Sequence, residues 1–143
     1  MAALNRKRVY LGALAGGVVW SIWSLLINGL VLGARYEAAH AAGTLLRTPR
    51  YTVGGFLGFW FLLLFVLSAI LSWLYAVARG PLGAGPKTAL QLGIVIGFAA
   101  AVPLSWSLVN WVPVERFIPL WWMLDLWGGA VLASVVAGWL YKD

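Results

Sequence analysis

The 143-residue chain is 63% hydrophobic and only 10% charged, which is too little charge to coat a water-soluble surface, since soluble domains carry about 25% charged residues. Its formal net charge of +6 comes from ten basic residues against four acids, but no basic strip interleaved with aromatic residues appears, so nucleic acid is not an expected partner. The absence of cysteine from the sequence excludes disulfide, iron–sulfur and thiolate metal chemistry. The composition predicts an integral membrane protein.

Four apolar runs are long enough to cross a membrane. Each holds 23 to 25 residues, against the ~20 that a hydrocarbon core of ~30 Å requires. The strict alternation of barrel strands is not present. We therefore predict an all-α polytopic membrane protein, with a single domain formed by an antiparallel bundle of four transmembrane helices. The predicted spans are residues 9–33, 54–78, 88–111 and 119–141.

The start of the chain has a basic segment before an apolar run, as a secretory signal does. The run continues for 25 residues, whereas the apolar part of a signal peptide has about 7–15. We interpret it as a retained first span.

The connections between the spans differ in character. In the first, charged residues alternate with Ala and Leu, which predicts a short interfacial helix over residues 35–47. The pair Thr48-Pro49 would end that helix, because the residue before proline is driven from the helical region. The second connection, "ARGPLGAGPK", is typical of a tight turn. The third, "VPVERFIP", is short and contains two prolines.

Lysine and arginine counts predict the orientation. Six lie on the side of the termini and four on the other, and the basic cluster at the first span strengthens this bias because the first helix usually dominates. We predict a multi-pass protein of the bacterial inner membrane with both termini cytoplasmic. The six are Arg6, Lys7, Arg8, Arg79, Lys87 and Lys142, and the four are Arg35, Arg47, Arg50 and Arg116.

Small residues four apart recur in the spans, and we interpret them as helix-packing positions. In lipid no hydrophobic force draws helices together, so close backbone approach through glycine matters more than in water. They favour a compact bundle, or one that docks onto another membrane protein or onto copies of itself, with membrane lipids around it. The candidate packing glycines are Gly12, Gly16, Gly29, Gly33, Gly93, Gly97 and Gly129.

The last span carries Asp125, although an aspartate at the centre of a span costs about 2.5–3.5 kcal/mol on insertion scales. Polar residues gather toward the same, outer ends of the other spans. We predict a candidate polar pocket formed by Asn28, Ser107, Asn110 and Asp125.

Two interpretations of Asp125 stay open. In the first, the carboxylate pairs structurally with a base, and the amides in the spans satisfy each other. In the second, the polar groups line a water-accessible pocket open to the outside, where Asp125 binds a cation or exchanges a proton. The possible partners of Asp125 are Arg35, Arg50, Arg116 and His40.

Motifs of catalysis are lacking in the sequence. No Ser/His/Asp set, no HExxH, no paired carboxylates and no phosphate-cradling glycine loop appears. We expect no enzyme activity, no cofactor and no metal.

The order of parts is familiar as a whole. A first span with "GGVVWSIWSLLINGLVLG", an Ala-rich segment and a final "WGGAVLASVVAGWLY" resemble the small four-helix bacterial membrane proteins grouped as a domain of unknown function. The resemblance implies fold and membrane location only. Small multidrug-resistance transporters also have four spans, but they carry a glutamate in the first span, whereas the intramembrane acid here is in the last.

Two functions are compatible with these features. The first is a non-enzymatic accessory or structural subunit that packs against other membrane proteins or itself. The alternative is a small carrier or a ligand-binding or sensing bundle with an outward-facing polar pocket around Asp125.

Overall fold

The computed structural model describes residues 4–141, and every regular element in that part of the chain is helical. Four helices are long and apolar enough to span a membrane within these residues, which confirms the all-α bundle. The elements are α1 (Arg6–Leu26) with a π-helical turn (Ile27–Val31), α2 (Gly33–Ala41), α3 (Val53–Leu82), α4 (Pro86–Trp111) and α5 (Phe117–Leu140).

The π-helical turn changes the register of the first span. The N–H of Leu32 bonds to the carbonyl of Ile27 at 3.0 Å, five residues back instead of four. Such a turn adds one residue to the helical repeat. The face that Ser24 and Asn28 share is therefore continued by Tyr36, not by Arg35 as an uninterrupted helix would place it.

The connections differ from the prediction in length. Helix α2 ends at Ala41 rather than at residue 47, because Gly43 adopts the left-handed conformation (φ +70°) that ends helices. Helix α3 continues to Leu82 and ends one residue after Pro81, which has no N–H for a helical hydrogen bond. The second turn therefore comprises only residues 83–85.

Helix α5 is the centre of the bundle. It packs along α4 and α1 and more briefly against α3, whereas α3 and α4 make few contacts with each other. Serine hydroxyls join the helices: Ser68 donates to the carbonyl of Ala13 at 2.9 Å, and Ser134 donates to that of Ala89 at 2.7 Å. Such bonds add modestly to membrane helix association.

Most of the candidate glycines pack inside this bundle. A methyl group on Gly12 or Gly16 would collide with Ser72 or Ser68 of α3, and one on Gly129 would collide with Trp20. The remaining candidate glycines with tight contacts are Gly93 and Gly97, which α5 covers. Gly29 and Gly33 are different, since no described residue would lie within 4 Å of an added methyl; the π-helical turn lies in this part of the first span.

Candidate functional site

A buried carboxyl group bridges α5 and α1. Asp125 follows the first residue of α5 by eight positions, ~12 Å along the helix axis at 1.5 Å per residue, and it is 1% exposed. The hydroxyl of Ser24 donates to its Oδ2 at 2.8 Å, and the amide Nδ2 of Asn28 donates to the same oxygen at 2.8 Å. Two residues on one face of the first span, Ser24 and Asn28, thus bind the carboxyl group of Asp125 on α5.

Helix α3 contributes an indole to this arrangement. Trp60 Nε1 donates to Ser24 Oγ at 3.2 Å. An indole N–H can only donate, so Ser24 Oγ accepts this bond and directs its own proton to Asp125. These two bonds form a first hydrogen-bond chain, which runs from Trp60 to Ser24 to Asp125 because the indole can only donate.

A second chain of hydrogen bonds reaches the acid from the end of the bundle opposite the chain termini. Trp122 Nε1 donates to the Tyr36 hydroxyl at 2.6 Å, and that hydroxyl donates to Asn28 Oδ1 at 2.5 Å. Burial raises the pKa of the Tyr36 hydroxyl, the bond from Trp122 opposes this shift, and the charge of Asp125 adds to it. The phenol therefore keeps its proton and remains a donor. Here too an indole at the start sets the direction.

Both chains end as donors on one oxygen. Oδ2 of Asp125 accepts hydrogen bonds from Ser24 and Asn28, whereas the buried Oδ1 accepts no hydrogen bond from any residue between 4 and 141. Buried polar atoms in folded proteins nearly always have a partner. Oδ1 is therefore a buried acceptor that the described protein leaves without a donor.

Asp125 lines a cavity of about 780 Å³, within the range of small-molecule sites. Phe56, Leu57 and Phe61 of α3 line it, together with Leu104 and Leu108 of α4. These walls are apolar. Polar groups gather instead at the α1–α5 side, which is the composition of a site that orients a largely apolar ligand by a few polar contacts.

The first connection covers the end of the cavity that lies opposite the chain termini. The residues of this connection that line the cavity are His40, Leu45, Leu46, Arg47 and Pro49. Arg47 is exposed, and the described contacts contain no hydrogen bond or ion pair from either His40 or Arg47 to Asp125.

The predicted basic partners of Asp125 are engaged elsewhere or exposed. Arg35 forms an ion pair with Glu115 and lies over the ring of Phe117, 3.7 Å from its centre. The π-helical turn is the physical reason, because it rotates Arg35 away from the Asn28 face. Arg50 and Arg116 are exposed, and neither has a described bond to the acid.

Two members of the predicted polar pocket lie outside it. Ser107 and Asn110 are exposed on α4 and bond to carbonyls of their own helix, at 3.1 Å to Pro103 and 2.8 Å to Trp106. Ser105 faces the cavity instead and is 4% exposed. Residues two apart on a helix point in nearly opposite directions, so the cavity side of α4 excludes Ser107.

Sequence reasoning missed four groups of the network, namely Ser24, Tyr36, Trp60 and Trp122. In a chain with ten tryptophans, no pattern distinguishes an indole that donates to a buried serine from one that faces lipid. Tyr36 belongs to the connection, where the sequence alone indicates an interfacial position.

The chain has no match among protein-family models, curated proteins or solved structures.

We expect Tyr36→Phe to lower the free energy of unfolding by about 1–2 kcal/mol, because it leaves the Trp122 N–H and Asn28 Oδ1 without partners. Thermal unfolding in neutral detergent measures the effect. Tyr51→Phe is the matched control, since Tyr51 is 82% exposed, and it should leave stability unchanged. Equal stability of the two variants would contradict the role assigned to the Tyr36 hydroxyl.

Proposed function

We propose that this chain is a membrane-embedded binding protein, a small carrier or sensing bundle, whose cavity holds an amphiphilic ligand with its head against Asp125. One observation carries the proposal: a buried carboxyl oxygen, Oδ1, lacks a donor within residues 4–141 and belongs to a side chain that lines a cavity of about 780 Å³. A ligand that donates to Oδ1 completes the hydrogen bonding of the acid.

The chemistry of the site favours a cationic head. Asp125 Oδ2 accepts two bonds whose donors are fixed in direction by Trp60 and Trp122; these bonds favour the charged form of the carboxyl group, whereas burial without an opposite charge disfavours it. A buried charge needs an opposite charge as well as hydrogen bonds. Since no described base bonds to this carboxylate, an ammonium group of the ligand supplies the missing charge.

The experiment compares three amphiphiles of equal chain length: dodecylammonium, dodecanol and dodecanoate. Each is added to the purified protein in neutral detergent, and thermal unfolding is followed. A ligand present at 100 times its Kd stabilises the folded state by about 2.7 kcal/mol. Dodecylammonium should raise the Tm, while the alcohol and the carboxylate should not. Equal shifts by all three would contradict the proposal, because they would report detergent-like adsorption.

A role as an accessory or structural subunit is the second candidate. Its support is that two small-residue pairs, Gly29/Gly33 and Gly54/Gly58, have no described atom within 4 Å of an added methyl, so another helix has room to approach them. A second copy of the chain, or another membrane protein, is the proposed occupant. Mass measurement in mild detergent tests self-association: Gly54→Leu with Gly58→Leu should yield monomers from an oligomeric wild type, and a monomeric wild type would exclude it.

We also propose that the protein lies in a bacterial inner membrane with both termini cytoplasmic. The support is the basic cluster at the start of α1 together with its neighbours: the Asn5 N–H bonds to the Tyr141 hydroxyl at 2.9 Å, and the Arg79 guanidinium lies 4.7 Å from the centre of the Tyr141 ring. Lys142, which entered the count, lies outside the described residues. In this cysteine-free chain, single cysteines at either end, probed with an impermeant maleimide, test the orientation.

A further inference from the structure

We infer that the cavity opens sideways, between α3 and α4, and that its ligand is a single-chain cationic amphiphile that enters from the hydrocarbon of the bilayer. The ammonium group binds Asp125, and the alkyl chain lies in the gap between the two helices. This inference rests on the proposed function and adds to it the number of alkyl chains in the ligand and its route of entry.

The gap follows from how α3 and α4 are joined. They meet at the turn of residues 83–85, where the Gly85 N–H donates to the Tyr75 hydroxyl at 3.0 Å. Elsewhere they pack against each other far less than either packs against its other neighbours. Toward the opposite half, α3 contributes Phe56, Leu57 and Phe61 to the lining of the cavity, and α4 contributes Leu104 and Leu108.

The side chains along this gap are both cavity lining and outer surface. Phe56 and Leu57 of α3 are 47% and 42% exposed, and Leu104 of α4 is 63% exposed, yet all three line the cavity. Side chains of a closed wall would be buried. The cavity is therefore continuous with the lipid-facing surface at this position.

The chemistry of the gap suits an alkyl chain. On α3 and α4 the cavity is lined by Val53, Phe56, Leu57, Trp60, Phe61, Leu104 and Leu108, which are apolar or aromatic, and by Ser105. The three side chains that are both exposed and part of the lining, Phe56, Leu57 and Leu104, are apolar. An alkyl chain that moves into this gap from the bilayer leaves one apolar medium for another and pays no desolvation cost. A hydrophilic ligand on the same route would lose its hydration without compensation.

The aqueous side offers a poorer route to a cation. Leu45, Leu46 and Pro49 cover the end of the cavity opposite the chain termini, and Arg47 places a positive charge there. Like charges disfavour an ammonium group near Arg47, whereas the carboxylate at the base attracts it. Charge therefore places the ammonium against Asp125 and leaves the apolar gap for the chain. A volume of about 780 Å³ is that of a drug-sized site, which favours one chain over two.

Photolabelling in proteoliposomes tests the route. The probe is a twelve-carbon primary amine with a diazirine near the end of its chain, and labelled peptides are identified by mass spectrometry. We expect label on Phe56, Leu57 or Leu104, reduced at least tenfold by excess dodecylammonium and by Asp125→Asn.

Two other outcomes are decisive in different ways. Label that depends on Asp125 but falls on residues 42–52 would overturn the lateral route and leave the proposed function standing. Label that is indifferent to Asp125→Asn at every position would overturn both.

A gap-filling variant gives a second readout. Leu57→Trp should lower the affinity for dodecylammonium at least fivefold while leaving that for ethylammonium, which has almost no chain, unchanged. Leu62→Trp is the matched control, because Leu62 is 56% exposed on the same helix and is not part of the lining. An equal loss in the two tryptophan variants, or no loss in Leu57→Trp, would contradict the inference.

Discussion

Gly129→Ala is expected to destabilise the protein by about 3 kcal/mol, at or beyond the upper end of the usual cost of overpacking a core. The added methyl would lie under 3.0 Å from three atoms of the Trp20 indole. Trp20 is only 2% exposed, so this rigid ring has no space into which it can move. Helix α1 must instead shift from α5, and that shift also moves Ser24, one turn further along α1, away from Asp125.

Gly58→Ala is the control for this experiment. No described atom lies within 4 Å of the methyl that it adds, and alanine is favoured over glycine in a helix by up to about 1 kcal/mol. The control should therefore unfold at the wild-type denaturant concentration or slightly above it. Titration with sodium dodecyl sulfate in mixed micelles measures both variants. If Gly129→Ala were as stable as Gly58→Ala, the close packing of α1 on α5 described here would be wrong.

Asp125→Asn is expected to weaken dodecylammonium binding about 10- to 100-fold. The estimate follows from the 1.5–3 kcal/mol of a hydrogen bond to a charged group and from about 1.4 kcal/mol per tenfold in affinity. The amide oxygen can still accept from Ser24 and Asn28, so the bundle should fold with little change in stability. The loss should therefore appear in binding titrations and not in the Tm of the ligand-free protein.

Glu115→Gln is the matched control. It removes one negative charge from the same end of the bundle, where Glu115 pairs with Arg35, but it is not among the residues that line the cavity. Its affinity for dodecylammonium should equal that of the wild type. An equal loss in both variants would mean that binding follows surface charge and not the buried carboxyl group.

The bundle was predictable from the sequence because a bilayer imposes its thickness on each span separately. Hydrophobic length is a local property, and four runs of sufficient length are visible without knowledge of how they pack. Asp125 and Asn28 stand out for the same reason, since an acid and an amide within apolar runs need partners. Their proximity in the structure follows from adjacent helices presenting these residues at similar depth.

The rotation of each helix was not predictable. Helix α4 carries serines on opposite sides, at Ser105 and Ser107, so the sequence does not decide which of them faces the cavity; packing against α5 decides it. The π-helical turn has a comparable effect on the first span. Because of the extra residue in this turn, Tyr36 and not Arg35 lies next to Asn28. The expected ion pair between Arg35 and Asp125 is therefore replaced by a hydrogen-bond chain.

The central claim is that Asp125 Oδ1, which has no donor in the described protein, binds the ammonium group of a ligand. An NMR signal from the carboxyl group itself tests this claim directly. The sequence contains two aspartates, Asp125 and Asp143, so ¹³C labelling of aspartate side-chain carboxyl groups gives two NMR signals, and Asp125→Asn assigns them. On titration with dodecylammonium in bicelles, the Asp125 signal should shift and saturate while that of Asp143 stays in place. An Asp125 signal that does not move, or two signals that drift together, would contradict the claim.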